Sequence, residues 1–192
     1  MKLYKFEDYE HYKKEQVKAN VRKLDWTWIQ EDTINKIKNF KPNANKILCH
    51  GVRNAKELEF FSKKYVGSEI IGTEISHTAK QFKNVVEWDF HEVNEQWKNN
   101  FDIVYSNSWD HSYDPIKSLK AWGGQLSQDG LMFVEHGCDE KDNKSRASDP
   151  LEIQHNEIVE MIINADLKLL DNFMTKAQKD NGANARVYVI GK

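Results

Sequence analysis

A chain of 192 residues is long enough to bury a full core as one domain without disulfides or metals. Its 39% hydrophobic and 30% charged residues and its net charge of −2 are typical of a globular protein and do not favour bulk nucleic-acid binding. Because no apolar run has membrane-spanning length and the N-terminus lacks a signal-peptide core, we expect a cytoplasmic protein without membrane contact.

The first part of the chain predicts two helices. Apolar residues recur at helical spacing from Phe6 to Leu24 and again from Trp28 to Ile37, and Pro42 ends the second helix. We therefore predict residues 1–42 as an N-terminal helical extension of a single domain whose main part is residues 43–192.

The next stretch has the order of parts that begins a nucleotide-binding α/β unit. A short apolar strand around Leu48 leads through a turn at Gly51 into a helix from Ala55 to Tyr65, and a second apolar strand is closed by Glu74. Such a turn points backbone N–H groups at a ligand, and an acid at the next strand end can accept hydrogen bonds from a ribose diol. Glu74 lies 23 positions after Gly51, near the roughly 20 expected.

Further short β-rich runs alternate with helices along the rest of the chain. The runs are Asn84 to Trp88, Phe101 to Ser106 and Gly130 to Glu135, and a helix is predicted from Pro115 to Gln125. Parallel neighbours need crossover connections, so this alternation predicts a mainly parallel sheet covered on both faces.

The last third predicts a different connection. A helix from about Leu151 to Ala165 precedes two strands, Leu167 to Met174 and Ala185 to Ile190, which are joined by a polar loop around Asn181 without a helix. Two strands joined in this way form an antiparallel pair. The predicted fold is therefore α/β: a doubly wound, seven-stranded, mainly parallel sheet with an antiparallel C-terminal hairpin, preceded by N-terminal helices.

From about Lys46 to the C-terminus, this order of parts resembles the class I S-adenosylmethionine-dependent methyltransferases, which have a Rossmann-like fold. The run from Phe101 to Ser112, Phe-Asp-Ile-Val-Tyr-Ser-Asn-Ser-Trp-Asp-His-Ser, is similar to a phrase in uncharacterised bacterial methyltransferase-domain proteins. The resemblance implies S-adenosylmethionine as cofactor and methyl transfer to an oxygen or nitrogen of a small molecule. The Asn-Pro-Pro-Tyr signature of enzymes that act on base or amide nitrogens is missing, so a nucleic-acid substrate is not expected.

The resemblance also assigns roles at the strand ends. Gly51 matches the first glycine of the cofactor loop, Glu74 the acid that binds the ribose, and Asp89 the acid that accepts from the adenine amino group. Arg53 either binds the ligand's carboxylate or is a surface arginine. The complete predicted cofactor site is His50, Gly51, Arg53, Glu74, Ile75, Asp89, Phe90, Ser106 and Asn107.

Three positions depart from the family pattern. Arg53 and Ala55 stand where the family prefers glycine, and Cys49 stands where many members carry an acid near the methionine amino group. Side chains in the loop oppose close backbone approach to a ligand. Two alternatives follow: a catalytically silent member used as a binding or assembly module, and another nucleotide-dependent enzyme such as an NAD-dependent oxidoreductase. The missing glycines and the terminal hairpin disfavour the oxidoreductase.

Two histidines are candidate catalytic residues. His111 follows the fourth strand and His136 the fifth, at the sheet edge that binds ligands, and either can act as a general base or be a plain structural histidine. Two cysteines and no zinc-ligand spacing predict no metal site. The charged loop of residues 138–150 is either a substrate-side lid or simply mobile.

Overall fold

The computed structural model describes residues 1–138, 143–176 and 184–192. The polar loop around Asn181 therefore lies outside the described residues, as does the part of the predicted lid at 139–142. No helix among the described residues is long and apolar enough to cross a membrane. In chain order the elements are β1 (Lys2–Leu3), α1 (Tyr9–Arg22), α2 (Glu31–Phe40), β2 (Lys46–His50), α3 (Lys56–Lys64), β3 (Glu69–Glu74), β4 (Val85–Glu87), β5 (Phe101–Ser106), α4 (Pro115–Gln125), β6 (Leu126–Gly137), β7 (Leu151–Glu152), α5 (His155–Asn164), β8 (Lys168–Lys176) and β9 (Asn184–Gly191).

Seven strands form the main sheet in the order β4-β3-β2-β5-β6-β9-β8. The first five run parallel, and β9 enters antiparallel between β6 and β8. The register aligns Ile47 of β2 with Ile70 of β3 and with Ile103 of β5. The predicted mainly parallel sheet with an antiparallel terminal hairpin is therefore confirmed.

Helices cover both faces of the sheet because its central strands are apolar on both sides. Ile47, Leu48 and Cys49 of β2 are fully buried, as expected for a parallel strand between two layers. Helices α2 and α3 cover one face, where Ile37 packs, and α4 and α5 cover the other, where Trp122 packs. Each such side chain contributes roughly 1.5–3 kcal/mol by leaving water, so the core holds the strand ends at one edge in fixed positions.

Local signals set the ends of several helices. Asp8 caps α1 by accepting from the backbone N–H of His11 at 2.8 Å, and Asp114 caps α4 in the same way from Lys117 at 3.0 Å. Pro115 occupies the first turn of α4, where no N–H is needed. The Asp114 cap and Pro115 explain why α4 begins at Pro115, as predicted.

The structure corrects the start of the last helix. Leu151 and Glu152 form the short strand β7, which pairs antiparallel with Leu3 and Lys2 of β1, and α5 begins only at His155. The prediction of a helix from Leu151 was wrong at this end because an apolar residue at a helix start and one in an edge strand look alike in sequence. This pairing ties the N-terminus to the segment before α5.

Candidate functional site

A cleft lies at the carboxyl edge of the parallel strands and encloses about 490 Å³ of empty space, part of it open to solvent. One wall consists of the ends of β2 and β3 and the segments that follow β4 and β5, and helix α1 forms the opposite wall. Seven of the residues predicted from sequence line this cleft together: Gly51, Arg53, Glu74, Ile75, Asp89, Phe90 and His111.

The turn after β2 has the backbone of a glycine-rich loop although it contains one glycine. Gly51, Arg53 and Ala55 all have left-handed backbones, with φ of 69°, 41° and 60°. The Gly51 N–H donates to the Thr73 carbonyl at 2.8 Å, and a Cβ at position 51 would lie 2.6 Å from the Cβ of Ser108. Glycine is therefore required at 51, whereas the side chains at 53 and 55 are accommodated at a cost on the order of 1–2 kcal/mol each.

Glu74, at the end of β3, presents a buried carboxylate to the cleft. One oxygen accepts from the backbone N–H of Arg53 at 3.0 Å and the other from that of Ser76 at 3.1 Å. Burial raises the pKa of Glu74 above its ordinary value, and the two N–H donors partly oppose this. Each oxygen still has acceptor capacity, so the carboxylate can receive two neighbouring hydroxyl groups.

Asp89, after β4, is held by a chain of hydrogen bonds. One oxygen accepts from the backbone N–H of His91 at 2.9 Å and lies 2.7 Å from its Nδ1, and the other accepts from the Tyr9 hydroxyl at 2.9 Å. His91 Nε2 in turn lies 2.7 Å from the Ser112 hydroxyl. Burial by itself would raise the pKa of Asp89, but hydrogen bonding to His91 outweighs burial and lowers this pKa. Asp89 is therefore an ionised acceptor at neutral pH.

Apolar surface completes this end of the cleft through Ile75 and Phe90. The Phe90 ring lies edge-on to Trp122, with ring centroids 5.3 Å apart. His50 stacks on the same Trp122, and its ring nitrogens lie 2.8 Å from the Thr73 hydroxyl and 2.8 Å from the Gln125 side-chain oxygen. Burial lowers the pKa of His50 to about 4. The structure thus places His50 in the core behind Phe90, and its side chain does not line the cleft.

The end of β5 is joined to the turn by a short network. The Ser106 hydroxyl accepts from the backbone N–H of Ser108 at 3.1 Å, and the Ser108 hydroxyl donates to the Gly51 carbonyl at 3.0 Å. Asn107 donates to the Glu57 carboxyl at 2.9 Å. Of these residues, Ser108 and Gly51 line the cleft, while the predicted Ser106 and Asn107 hold that wall in place.

Two acids that the sequence analysis did not assign to the site are buried close to it. Glu57 is 6% exposed and Glu135 is 1% exposed, and Glu135 accepts from the Tyr105 hydroxyl at 2.6 Å. Burial raises the pKa of each carboxyl to about 7. Ionisation of a buried carboxyl group is costly, so each of these acids destabilises the folded protein when it loses its proton.

His111 lies in the cleft wall with both ring nitrogens engaged. Its Nδ1 is 3.0 Å from the Gln16 side-chain oxygen, and its Nε2 is 3.7 Å from Asp149 and 3.9 Å from Asp110. Because an amide oxygen only accepts, Nδ1 carries the hydrogen and Nε2 is the nitrogen that can take up a proton.

The same three groups lie within 4.8 Å of one another, close enough to hold a cation. Asp149, however, already pairs with Lys23 at 3.4 Å and with Arg146. Burial by itself would raise the pKa of Asp149, but the neighbouring cations outweigh burial and lower this pKa well below its ordinary value. Its charge is thus balanced by side chains of the protein, and the cluster stiffens the wall around His111.

His136 lies elsewhere. It is buried on β6 beside Trp109, with ring centroids 6.3 Å apart, and burial lowers its pKa. In the part of the chain that the structure describes, it is not among the residues that line the cleft. The two histidines predicted as bases are therefore separated, and only His111 is placed to meet a ligand in this cleft.

Helix α1 supplies a wall that the sequence analysis did not predict. Positions three, four or seven apart share one face of a helix, but the residues on this face are largely polar, so hydrophobic periodicity did not mark them. The opposite side of α1 is exposed and carries three basic residues, Lys14, Lys18 and Arg22. The residues that face the cleft are Tyr12, Gln16, Ala19, Asn20 and Lys23.

Several solved structures with the same fold are methyltransferases. The 1,6-didemethyltoxoflavin-N1-methyltransferase of Burkholderia thailandensis, solved with S-adenosylhomocysteine, has a TM-score of 0.70 and 13% identity over 98% of this chain and 92% of its own. A SAM-dependent methyltransferase of Aquifex aeolicus has a TM-score of 0.62 and 15% identity over 97% and 99%. The cyclase SpnF has a TM-score of 0.67 and 11% identity over 93% of both chains. No protein-family model and no curated protein matches the sequence.

The chain therefore has the class I methyltransferase fold, as the resemblance in its sequence implied. Identities of 11–15% establish the fold alone. What this particular protein does has to be argued from its cleft, because one fold hosts many functions.

Proposed function

We propose that this protein is an S-adenosylmethionine-dependent methyltransferase that acts on an oxygen or nitrogen of a small molecule. The observation that carries the proposal is the placement of Glu74, Asp89 and the left-handed turn at Gly51 around one cleft. An adenosine ligand requires a carboxylate for its ribose diol, which Glu74 offers, and an ionised acceptor beside apolar surface for its adenine, which Asp89 offers.

The residues present fit this cofactor. Glu74 would receive the ribose hydroxyls, and Asp89 would accept from the adenine amino group between Ile75 and Phe90. The turn itself requires glycine at position 51, because a Cβ there would collide with Ser108. When bound, the cofactor supplies an electrophilic methyl group on a sulfonium.

The chain's own contribution to the chemistry is positioning and proton transfer. Holding a nucleophile at attack distance supplies much of the rate in such a transfer. His111 would serve as the proton acceptor in this cleft through Nε2, which lies 3.7 Å from Asp149 and 3.9 Å from Asp110. The wall of α1 around Gln16 bounds the cleft opposite the strand ends, which suits a small-molecule acceptor.

A catalytically silent binding module is the second candidate, and two observations favour it. Arg53 and Ala55 strain the turn that meets the ligand, and the Tyr9 hydroxyl already occupies one oxygen of Asp89. A nicotinamide-dependent oxidoreductase lacks comparable support, since β9 enters antiparallel into the sheet and the similar structures include S-adenosylmethionine-dependent methyltransferases.

Calorimetric titration of the purified protein with S-adenosylmethionine tests the cofactor assignment. We expect Glu74→Ala to weaken binding about 10- to 100-fold, because hydrogen bonds to a charged acceptor contribute roughly 1.5–3 kcal/mol. Glu69→Ala is the matched control, since this acid lies at the exposed start of the same strand.

Absence of heat at millimolar cofactor, or binding that Glu74→Ala leaves unchanged, would refute the assignment. Mass spectrometry of the purified protein separates the two candidates further. A methyltransferase incubated with cofactor and a small-molecule extract forms S-adenosylhomocysteine, whereas a silent module retains the ligand unchanged. A thermal shift with NAD and none with S-adenosylmethionine would favour the oxidoreductase.

A further inference from the structure

Asp89, the acid that would meet the adenine, has one oxygen left for a ligand. Its side chain is only 6% exposed although the residue lines the cleft. Oδ1 accepts from the backbone N–H of His91 at 2.9 Å and lies 2.7 Å from Nδ1 of the same residue. Because a carboxylate oxygen has about two acceptor positions, these two contacts saturate Oδ1. A base that enters the cleft therefore has to meet Oδ2.

Oδ2 is already engaged by Tyr9, the first residue of α1. The Tyr9 hydroxyl donates to Oδ2 at 2.9 Å. Burial and the charge of Asp89 raise the pKa of Tyr9 above its ordinary value, so the hydroxyl keeps its proton and remains a donor. The amino group of adenine is a donor as well. The Tyr9 hydroxyl thus makes the contact that the proposed function gives to the ligand.

The ring of Tyr9 is held less firmly than the helix that carries it. Tyr9 is 42% exposed, and its ring lies 6.1 Å from that of Tyr12 and 6.3 Å from that of Tyr113, near the far end of the favourable range. Tyr12, by contrast, is buried and packs 4.6 Å from Tyr113 and 5.2 Å from Phe6. Helix α1 is therefore anchored through Tyr12, and Tyr9 can rotate into solvent without movement of the helix.

We propose that Tyr9 is an intramolecular competitor of the cofactor's adenine, which has to displace the Tyr9 hydroxyl from Asp89 before it can bind. This inference rests on the proposed function and adds regulation of the same site. The competition lowers the apparent affinity of the cofactor, because only molecules in which Oδ2 is free are ready to bind. Exposed side chains exchange rotamers rapidly, so the occupied Asp89 is compatible with cofactor binding.

The test compares the wild type with two variants and uses three ligands. S-adenosylhomocysteine probes the complete site, whereas adenosine and purine riboside differ only in the amino group that would meet Asp89. Dissociation constants are measured by calorimetry for S-adenosylhomocysteine and by NMR titration for the two nucleosides. Tyr9→Phe keeps the ring and removes the hydroxyl. Tyr4→Phe is the matched control, because Tyr4 is also exposed and its ring packs on Phe6.

We expect Tyr9→Phe to bind S-adenosylhomocysteine and adenosine about 3- to 30-fold more tightly, because the competing hydrogen bond to a charged group is gone. Purine riboside has no donor for Oδ2, so its affinity should change by less than about twofold. Tyr4→Phe should leave all three affinities unchanged. Unchanged or weaker binding of S-adenosylhomocysteine by Tyr9→Phe, or an equal gain for purine riboside, would overturn the inference and leave the cofactor assignment standing. A wild type and a Tyr9→Phe variant that both fail to bind S-adenosylhomocysteine would overturn the proposed function and the inference with it.

Discussion

Replacement of Glu135 by glutamine tests the cost of burying an acid at the end of β6. The side chain is 1% exposed, and one oxygen accepts from the Tyr105 hydroxyl at 2.6 Å. Glutamine has nearly the same shape and keeps an oxygen for Tyr105, but it does not titrate. The substitution therefore removes the charge and leaves the packing of this region intact.

The structure determines the sign and size of the effect. Burial raises the pKa of Glu135 from 4.5 to about 7 in the folded state, so the folded protein binds the proton more tightly than the unfolded chain. Stability from this group is present below pH 4.5 and is lost as the pH rises to 7. With about 1.4 kcal/mol per pKa unit, the wild type loses about 2 to 3 kcal/mol between pH 5 and pH 8 through Glu135.

The assay is urea denaturation of the wild type and of Glu135→Gln at pH 5 and at pH 8. We expect the free energy of unfolding of the variant, relative to that of the wild type, to rise by about 2 to 3 kcal/mol between the two pH values. Glu69→Gln, on the exposed start of β3, should show no such rise. An equal difference at both pH values, or a variant that becomes relatively less stable at pH 8, would show that Glu135 is ionised without penalty.

Two further predictions concern the turn and the wall of the cleft. Arg53→Gly should raise the free energy of unfolding by about 1 kcal/mol, because it relieves the strain of a non-glycine residue in the left-handed region. Arg53→Ala keeps the Cβ and should give no such rise. Equal denaturation midpoints for the two variants would contradict this prediction. Asp149→Asn should lower the free energy of unfolding at pH 7 by about 3 kcal/mol, since it leaves Lys23 and Arg146 without their buried partner. The loss should begin to shrink as the pH falls below 3.8, because the stability from a carboxyl with a depressed pKa is fully present above its unfolded value and is lost progressively as the pH falls toward the lower folded value. Exposed Asp129→Asn is the control, and a loss independent of pH would count against the ion-pair explanation.

Local pattern was sufficient to predict the sheet and the acids at its edge. The apolar run at Ile47 to Cys49 reads as a strand buried on both faces, and an acid directly after such a strand has to lie at the ligand-binding edge. Glu74 was predicted from its spacing to Gly51 and Asp89 from the family resemblance, and both line one cleft. The terminal hairpin followed from two strands joined without a helix, since only antiparallel neighbours allow that connection.

Tertiary structure alone decided what surrounds those acids. The side chain of His50, the last residue of β2, packs in the core against Trp122, although the next residue, Gly51, lines the cleft. The wall of α1 comes from a helix whose docking depends on contacts distant in sequence. The sequence by itself determined which residues stand at the strand ends, whereas the packing of helices against the sheet decided which side chains complete the site, because packing is set by three-dimensional fit and not by local spacing.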